Sequence, residues 1–170
     1  MVLSSVAAEL CLAASACFGA FRSWKRFAPL APSGFLLFAA AAALGAATYA
    51  GFGLAEEPHS LVTRLAEWAG LALIATGFMG KPLPMLIGGG VLVAVGITTG
   101  KALMVNIAAL ALMITWRAWS TRRAPWPMVV AALLFALAGL AIGTHGQALG
   151  LPRVDLYHLT LAAALLLAAA

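Results

Sequence analysis

Charge is what this sequence has least of. Asp, Glu, Lys and Arg make up 9% of its 170 residues, against about 25% in a soluble domain. Apolar residues reach 64%, above the usual range of roughly 45–50%. Such scarcity excludes a disordered chain, a nucleic-acid-binding module and an ordinary soluble enzyme, because each needs a hydrated polar surface. Cysteine is scarcer still. Cys11 and Cys17 are the two present, on different turns of one apolar run and beyond disulfide reach of each other. Both read as packing residues.

Catalytic signatures are missing as well. There is no His-Glu-x-x-His, no Cys-x-x-Cys and no Gly-x-Ser-x-Gly. Gly88-Gly89-Gly90 lies inside an apolar run without a strand before it, so it is no phosphate loop; it reads as small-residue helix packing. Lys81 and Lys101 stand at the ends of runs, so no mid-run lysine is available for a Schiff base. The first apolar run lacks a basic segment before it and is interrupted by Glu9, which argues against a signal peptide. Alternation of apolar and polar residues is absent from runs such as 38–47, which excludes a β-barrel.

Long apolar runs are what remains. A membrane-crossing helix takes about 20 residues, so 170 residues leave room for six or seven crossings and no soluble domain. Seven segments are readable: Val2–Phe21, Ser33–Leu54, Leu65–Gly80, Leu83–Thr99, Ala102–Trp119, Pro127–Thr144 and Leu156–Ala170. The breaks carry helix-stopping and charged residues, among them Arg22, Pro29 and Pro32, then Glu56-Glu57-Pro58, and later Arg122, Arg123 and Pro125. The last run ends without a polar flank, an ending compatible with a longer natural chain. The predicted fold is all-α: a single transmembrane domain over 1–170, a polytopic helical bundle of about seven helices.

Orientation follows from the cations. With the N-terminus outside, the inner side carries Arg22, Lys25, Arg26, Lys81, Arg117, Arg122 and Arg123, and the outer side Arg64, Lys101 and Arg153. That asymmetry predicts N-out and C-in by the positive-inside rule. The net charge of +5 is then a topology and headgroup signal, and nucleic acid is not expected as a partner. Trp24, Trp116, Trp119 and Trp126 fall near the inner boundary and Trp68 near the outer one, as an aromatic belt requires.

In this orientation all five acids and all three histidines fall in the outer half. Glu9, His145, Asp155 and His158 lie in or at the ends of three different runs, where ionisable groups usually face a bundle interior or a water-filled cavity. These four are predicted to converge. Asp155 and His158, three positions apart, share one helix face, and Asp155 also suits an N-cap. His59 reads as a solvated loop residue. Arg64 and Glu67 read as a mutually neutralising pair, and Asn106, Thr98 and Thr99 as interhelical hydrogen-bonding groups.

At the last run a resemblance appears. Val154-Asp155-Leu156-Tyr157-His158-Leu159, preceded by 146–151, resembles the end of a poorly characterised family of bacterial seven-helix membrane proteins with an Asn-Asp-Leu-Tyr-His signature. Glu9 and Thr48-Tyr49-x-Gly51-Phe52 are also similar to that family. Its layout resembles the alkaline ceramidases and adiponectin receptors, seven-helix hydrolases that hold zinc with histidines of the second and last spans. Two positions depart: Val154 replaces the Asn, and Ala50 stands where the second-span His is expected. The last run also lacks a His-x-x-x-His. The resemblance implies a location in a bacterial cytoplasmic membrane and a metal-dependent lipid amide or ester hydrolase. If zinc binds, His145, His158 and Asp155 or Glu9 supply its ligands, with Asp155 or Glu9 as the catalytic base. The alternative is non-catalytic: a small transporter, or a structural subunit in contact with lipid and with a membrane-protein partner or further copies of itself.

Overall fold

A computed structural model describes residues 2–26, 30–79, 82–120 and 126–170. The expected breaks at Pro29, Lys81, Arg122, Arg123 and Pro125 lie outside the described residues. Those described are almost entirely helical, and they form seven rods in chain order. These are α1 (Val2–Lys25), α2 (Ala31–Tyr49), a third rod of α3 (Glu56–Leu65) and α4 (Leu71–Gly77), α5 (Pro82–Thr99), α6 (Ala102–Ser120), a sixth rod beginning with α7 (Trp126–Ala136), and α8 (Arg153–Ala169). Among the described residues three helices are long and apolar enough to cross a membrane: Leu3–Lys25, Ala31–Tyr49 and Ala102–Trp119. The shorter Trp126–Ile142 is also apolar.

Local chemistry explains the ends. Arg22 and Lys25 occupy the last turn of α1, where cations complement the carbonyl end of the helix. Pro32 stands in the first turn of α2, where its missing N–H costs nothing. The third rod starts nine residues earlier than the apolar run predicts, at Glu56 rather than Leu65. Glu56 and Glu57 in its first turn and Arg64 in its last both complement the dipole. A π-helical turn, Ala66–Gly70, joins α3 to α4 within the third rod, and another, Leu137–Ile142, completes the sixth rod after α7. The sixth rod ends at Gly143, whose φ of 64° takes the chain out of the helix. Before α8 the strands Gln147–Ala148 and Leu151–Pro152 pair antiparallel through Leu149 and Gly150. Both turn residues have positive φ, as a two-residue hairpin turn requires.

α1 packs chiefly against α2 and α8, α7 against α8, and α4 against α2 and α6. Three contacts fix the α1–α8 pairing. Ser5 Oγ donates to Asp155 Oδ1 at 2.7 Å, Glu9 faces His158, and Arg26 donates to the Ala170 carbonyl at 2.8 Å. The first and last helices therefore run parallel.

Small residues allow the close approaches. A methyl on Gly34 would meet the Gly70 carbonyl and Ile74, and one on Gly77 would meet the backbone of Ala31. The third rod thus touches α2 backbone to backbone, the use of small residues common in membrane bundles. Phe35, Ile74, Met113 and Leu165 fill the core between them. Gly88 and Gly90 of α5 do not play this part, since methyls on them would meet open space. Cys11 and Cys17 are exposed rather than packed, because they lie on the outer faces of α1. Trp24, Trp119 and Trp126 also point outward.

Candidate functional site

Glu9 and Asp155 are each almost fully buried, at 1% and 2% exposure. An isolated buried carboxylate costs several kcal/mol or more, so such groups are paired, protonated or wet. Glu9 projects from α1 toward α8, where its Oε1 lies 3.5 Å from His158 Nδ1. Neither atom has a hydrogen-bond partner. The carboxyl lies against Gly45 of α2: a methyl there would collide with Glu9 Oε1 and Cδ, and would stand 3.0 Å from His59 Cε1. Glycine at 45 is thus what lets Glu9, His59 and His158 share one space.

His59 belongs to α3 and is half-buried, not a solvated loop residue. Its Nδ1 lies 3.0 Å from the Ala41 carbonyl and 3.4 Å from Thr63 Oγ1, one turn along the helix. The early start of the third rod causes this, because residues 59, 63 and 67 then line one face. The π turn at Ala66–Gly70 contains Glu67.

These groups enclose a cavity of about 370 Å³. Glu9, His59 and His158 form its polar wall with Tyr49, Thr63 and Tyr157. Phe38, Leu12 and Leu161 supply an apolar side, and Glu67, Thr144 and His145 contribute to the rim. The Tyr157 and His158 rings meet edge to face at 5.3 Å between centroids.

The four predicted site residues thus divide. Glu9 and His158 meet. His145 borders the same cavity but is exposed, with Thr144 Oγ1 3.2 Å from its Nδ1. Asp155 is absent from the cavity wall, and its Oδ1 is taken by Ser5 of α1. Nor is Asp155 the N-cap of α8. Pro152 holds that position, which leaves the carboxylate at the third residue of the helix, free to reach α1. Its remaining oxygen, Oδ2, is buried without a partner.

A zinc site tests poorly against these donors. His145, His158 and Asp155 form no group able to hold a metal ion, and no three His, Cys, Asp or Glu side chains do so among the described residues. Of the third rod's cavity residues, the sequence places His59 in a solvated loop, pairs Glu67 with Arg64 and gives no sign of Thr63, although acidic residues at 56–57 and a cation at 64 are a readable helix signal. Tyr49 and Tyr157 are marked only through the resemblance. Of the expected interhelical groups, Thr98 and Thr99 bond instead to carbonyls of their own helix. Asn106 keeps its Oδ1 buried and unpartnered. No protein-family model, curated protein or solved structure matches the chain.

Proposed function

We propose that this chain is a polytopic membrane protein of seven crossings, N-terminus outside and C-terminus inside, that hydrolyses an amide or ester bond of an amphipathic lipid at the outer end of its bundle. Three helices of sufficient length and apolarity support the membrane reading. The parallel course of α1 and α8 supports an odd number of crossings, because neighbouring crossings alternate in direction. The cation asymmetry supports the orientation, and the resemblance a bacterial cytoplasmic membrane.

One observation carries the chemistry: a buried carboxyl–imidazole pair, Glu9 and His158, on the wall of a cavity large enough for a ligand. Glu9 faces Nδ1, which selects the tautomer with the proton there and leaves Nε2 as the basic nitrogen. In the proposed step Nε2 takes a proton from water as the water oxygen attacks the carbonyl carbon. The C–O double bond opens to an oxyanion, which the hydroxyls of Tyr49, Thr63 or Tyr157 stabilise. Collapse re-forms the carbonyl and breaks the bond to the amine or alcohol, which leaves with the proton held on Nε2. Glu9 stabilises the imidazolium between the two events. Asp155 acts as a positioning residue, holding α8 to α1 through Ser5. No group of three metal-ligating side chains forms among the described residues, so no step is routed through zinc.

The non-catalytic reading, a small transporter or a structural subunit, is favoured by the commitment of Asp155 to Ser5, off the cavity wall. Product release from N-acyl amide and ester lipids by the protein in liposomes separates the two. The hydrolase reading expects turnover, lost about 100-fold or more in Glu9→Gln and His158→Ala. No turnover by the wild type across both bond types would leave the non-catalytic reading standing.

A further inference from the structure

A second cavity, of about 120 Å³, lies behind the first. The two share Phe38, Glu67, Tyr157 and Leu161 as wall residues. Beyond that shared wall the second cavity is apolar, bounded by α6 and the sixth rod. Its exception is Asn106, the one amide on its lining. Asn106 Oδ1 is buried and has no hydrogen-bond partner.

An amide among apolar side chains is costly unless its hydrogen bonds are met, and the cost falls on the unpartnered acceptor. A site with a buried, unpaired acceptor discriminates strongly between ligands that carry a matching donor and ligands that do not, far more than an apolar wall discriminates by shape. We infer that this side cavity is the specificity subsite of the Glu9–His158 cavity: it takes a short apolar segment of the ligand, and Asn106 reads one O–H or N–H donor on that segment. The inference rests on the reading of the larger cavity as the ligand site. It adds the feature that distinguishes ligands, an apolar segment with a single donor.

The test uses two isomers that no hydrolase can cleave, hexan-1-ol and 1-methoxypentane. They match in heavy atoms and differ in one O–H donor. Binding of each to the purified full chain in lipid nanodiscs is measured against empty nanodiscs. The alcohol is expected to bind about tenfold tighter than the ether, the equivalent of about 1.4 kcal/mol. Asn106→Leu should bring that ratio close to one, and Asn106→Ala should do the same if the larger side chain prevents folding. Gly88→Ala, whose methyl meets open space away from both cavities, should leave the ratio in place. No preference in the wild type, or a preference that survives in the Asn106 variants, overturns the subsite. The two readings also fail separately. A preference lost at Asn106 without lipid turnover sustains the subsite and removes the hydrolase, whereas turnover with no preference removes the subsite alone.

Discussion

Glu9 Oε1 and His158 Nδ1 face each other at 3.5 Å across the α1–α8 interface, both buried and both without a hydrogen bond. A proton on either atom would join them with a shift of a few tenths of an ångström, and any donor bound in the cavity competes for the same acceptor. Such a pair is set to exchange a proton with what enters the cavity.

Gly45 makes this approach possible, so its substitution is the mildest way to disturb the pair. In Gly45→Ala the new methyl would collide with the Glu9 carboxyl and press on His59. Turnover should fall by about tenfold or more, since small misplacements of a catalytic group are expensive. Gly88→Ala, whose methyl meets open space, serves as the control and should change stability by less than about 1 kcal/mol. Lipid turnover and thermal unfolding of both variants check this.

Ser5 and Asp155 stand 150 residues apart and close one end of the α1–α8 interface through one hydrogen bond. Ser5→Ala would strip a nearly fully buried carboxyl of its donor. The expected loss is about 1–2 kcal/mol, at the upper end for hydrogen bonds inside membrane bundles. Asp155→Asn keeps an acceptor for the serine and should cost less. Unfolding of the purified protein in detergent measures both, and equal losses would contradict the pairing.

Much of the helix layout is readable in the sequence because long apolar runs and the charged or proline-bearing breaks between them mark helices and their ends. All seven runs became rods. The third extends past its apolar run because its first turns are polar, and those turns carry His59, which the sequence pattern alone assigns to a loop. Which rods touch was not readable, since alanine-rich faces are nearly interchangeable as partners. Glu9 could be marked as an expensive group in an apolar run, and its convergence with His158 expected, but not the atoms that would meet. The sequence position of Asp155 suits both a cap and a ligand. The hairpin before α8 gave the cap to Pro152 and turned the carboxylate toward Ser5.

Topology is testable by cysteine labelling once Cys11 and Cys17, both exposed, are replaced by alanine. Ser23 is unsuitable as a reporter because it is buried, whereas Trp24 beside it is exposed. An impermeant thiol reagent applied from outside should label Ser60→Cys and spare Trp24→Cys. The reverse pattern would invert the orientation.

Zinc content follows from the donor geometry. Because His145, His158 and Asp155 form no metal-holding group, purified wild type should carry substoichiometric zinc. His158→Ala should not lower it, and a chelator should leave turnover unchanged. One zinc per chain, lost on His158→Ala, would restore the metal-hydrolase mechanism in place of the one derived above.

The central claim is that Glu9 and His158 work as one unit, and a double-mutant cycle on kcat/KM for lipid hydrolysis measures this most directly. Groups that act together are strongly non-additive when removed. The account predicts that Glu9→Gln combined with His158→Gln is no slower than the worse single variant. Losses that multiply, or single variants that hydrolyse at the wild-type rate, would contradict it.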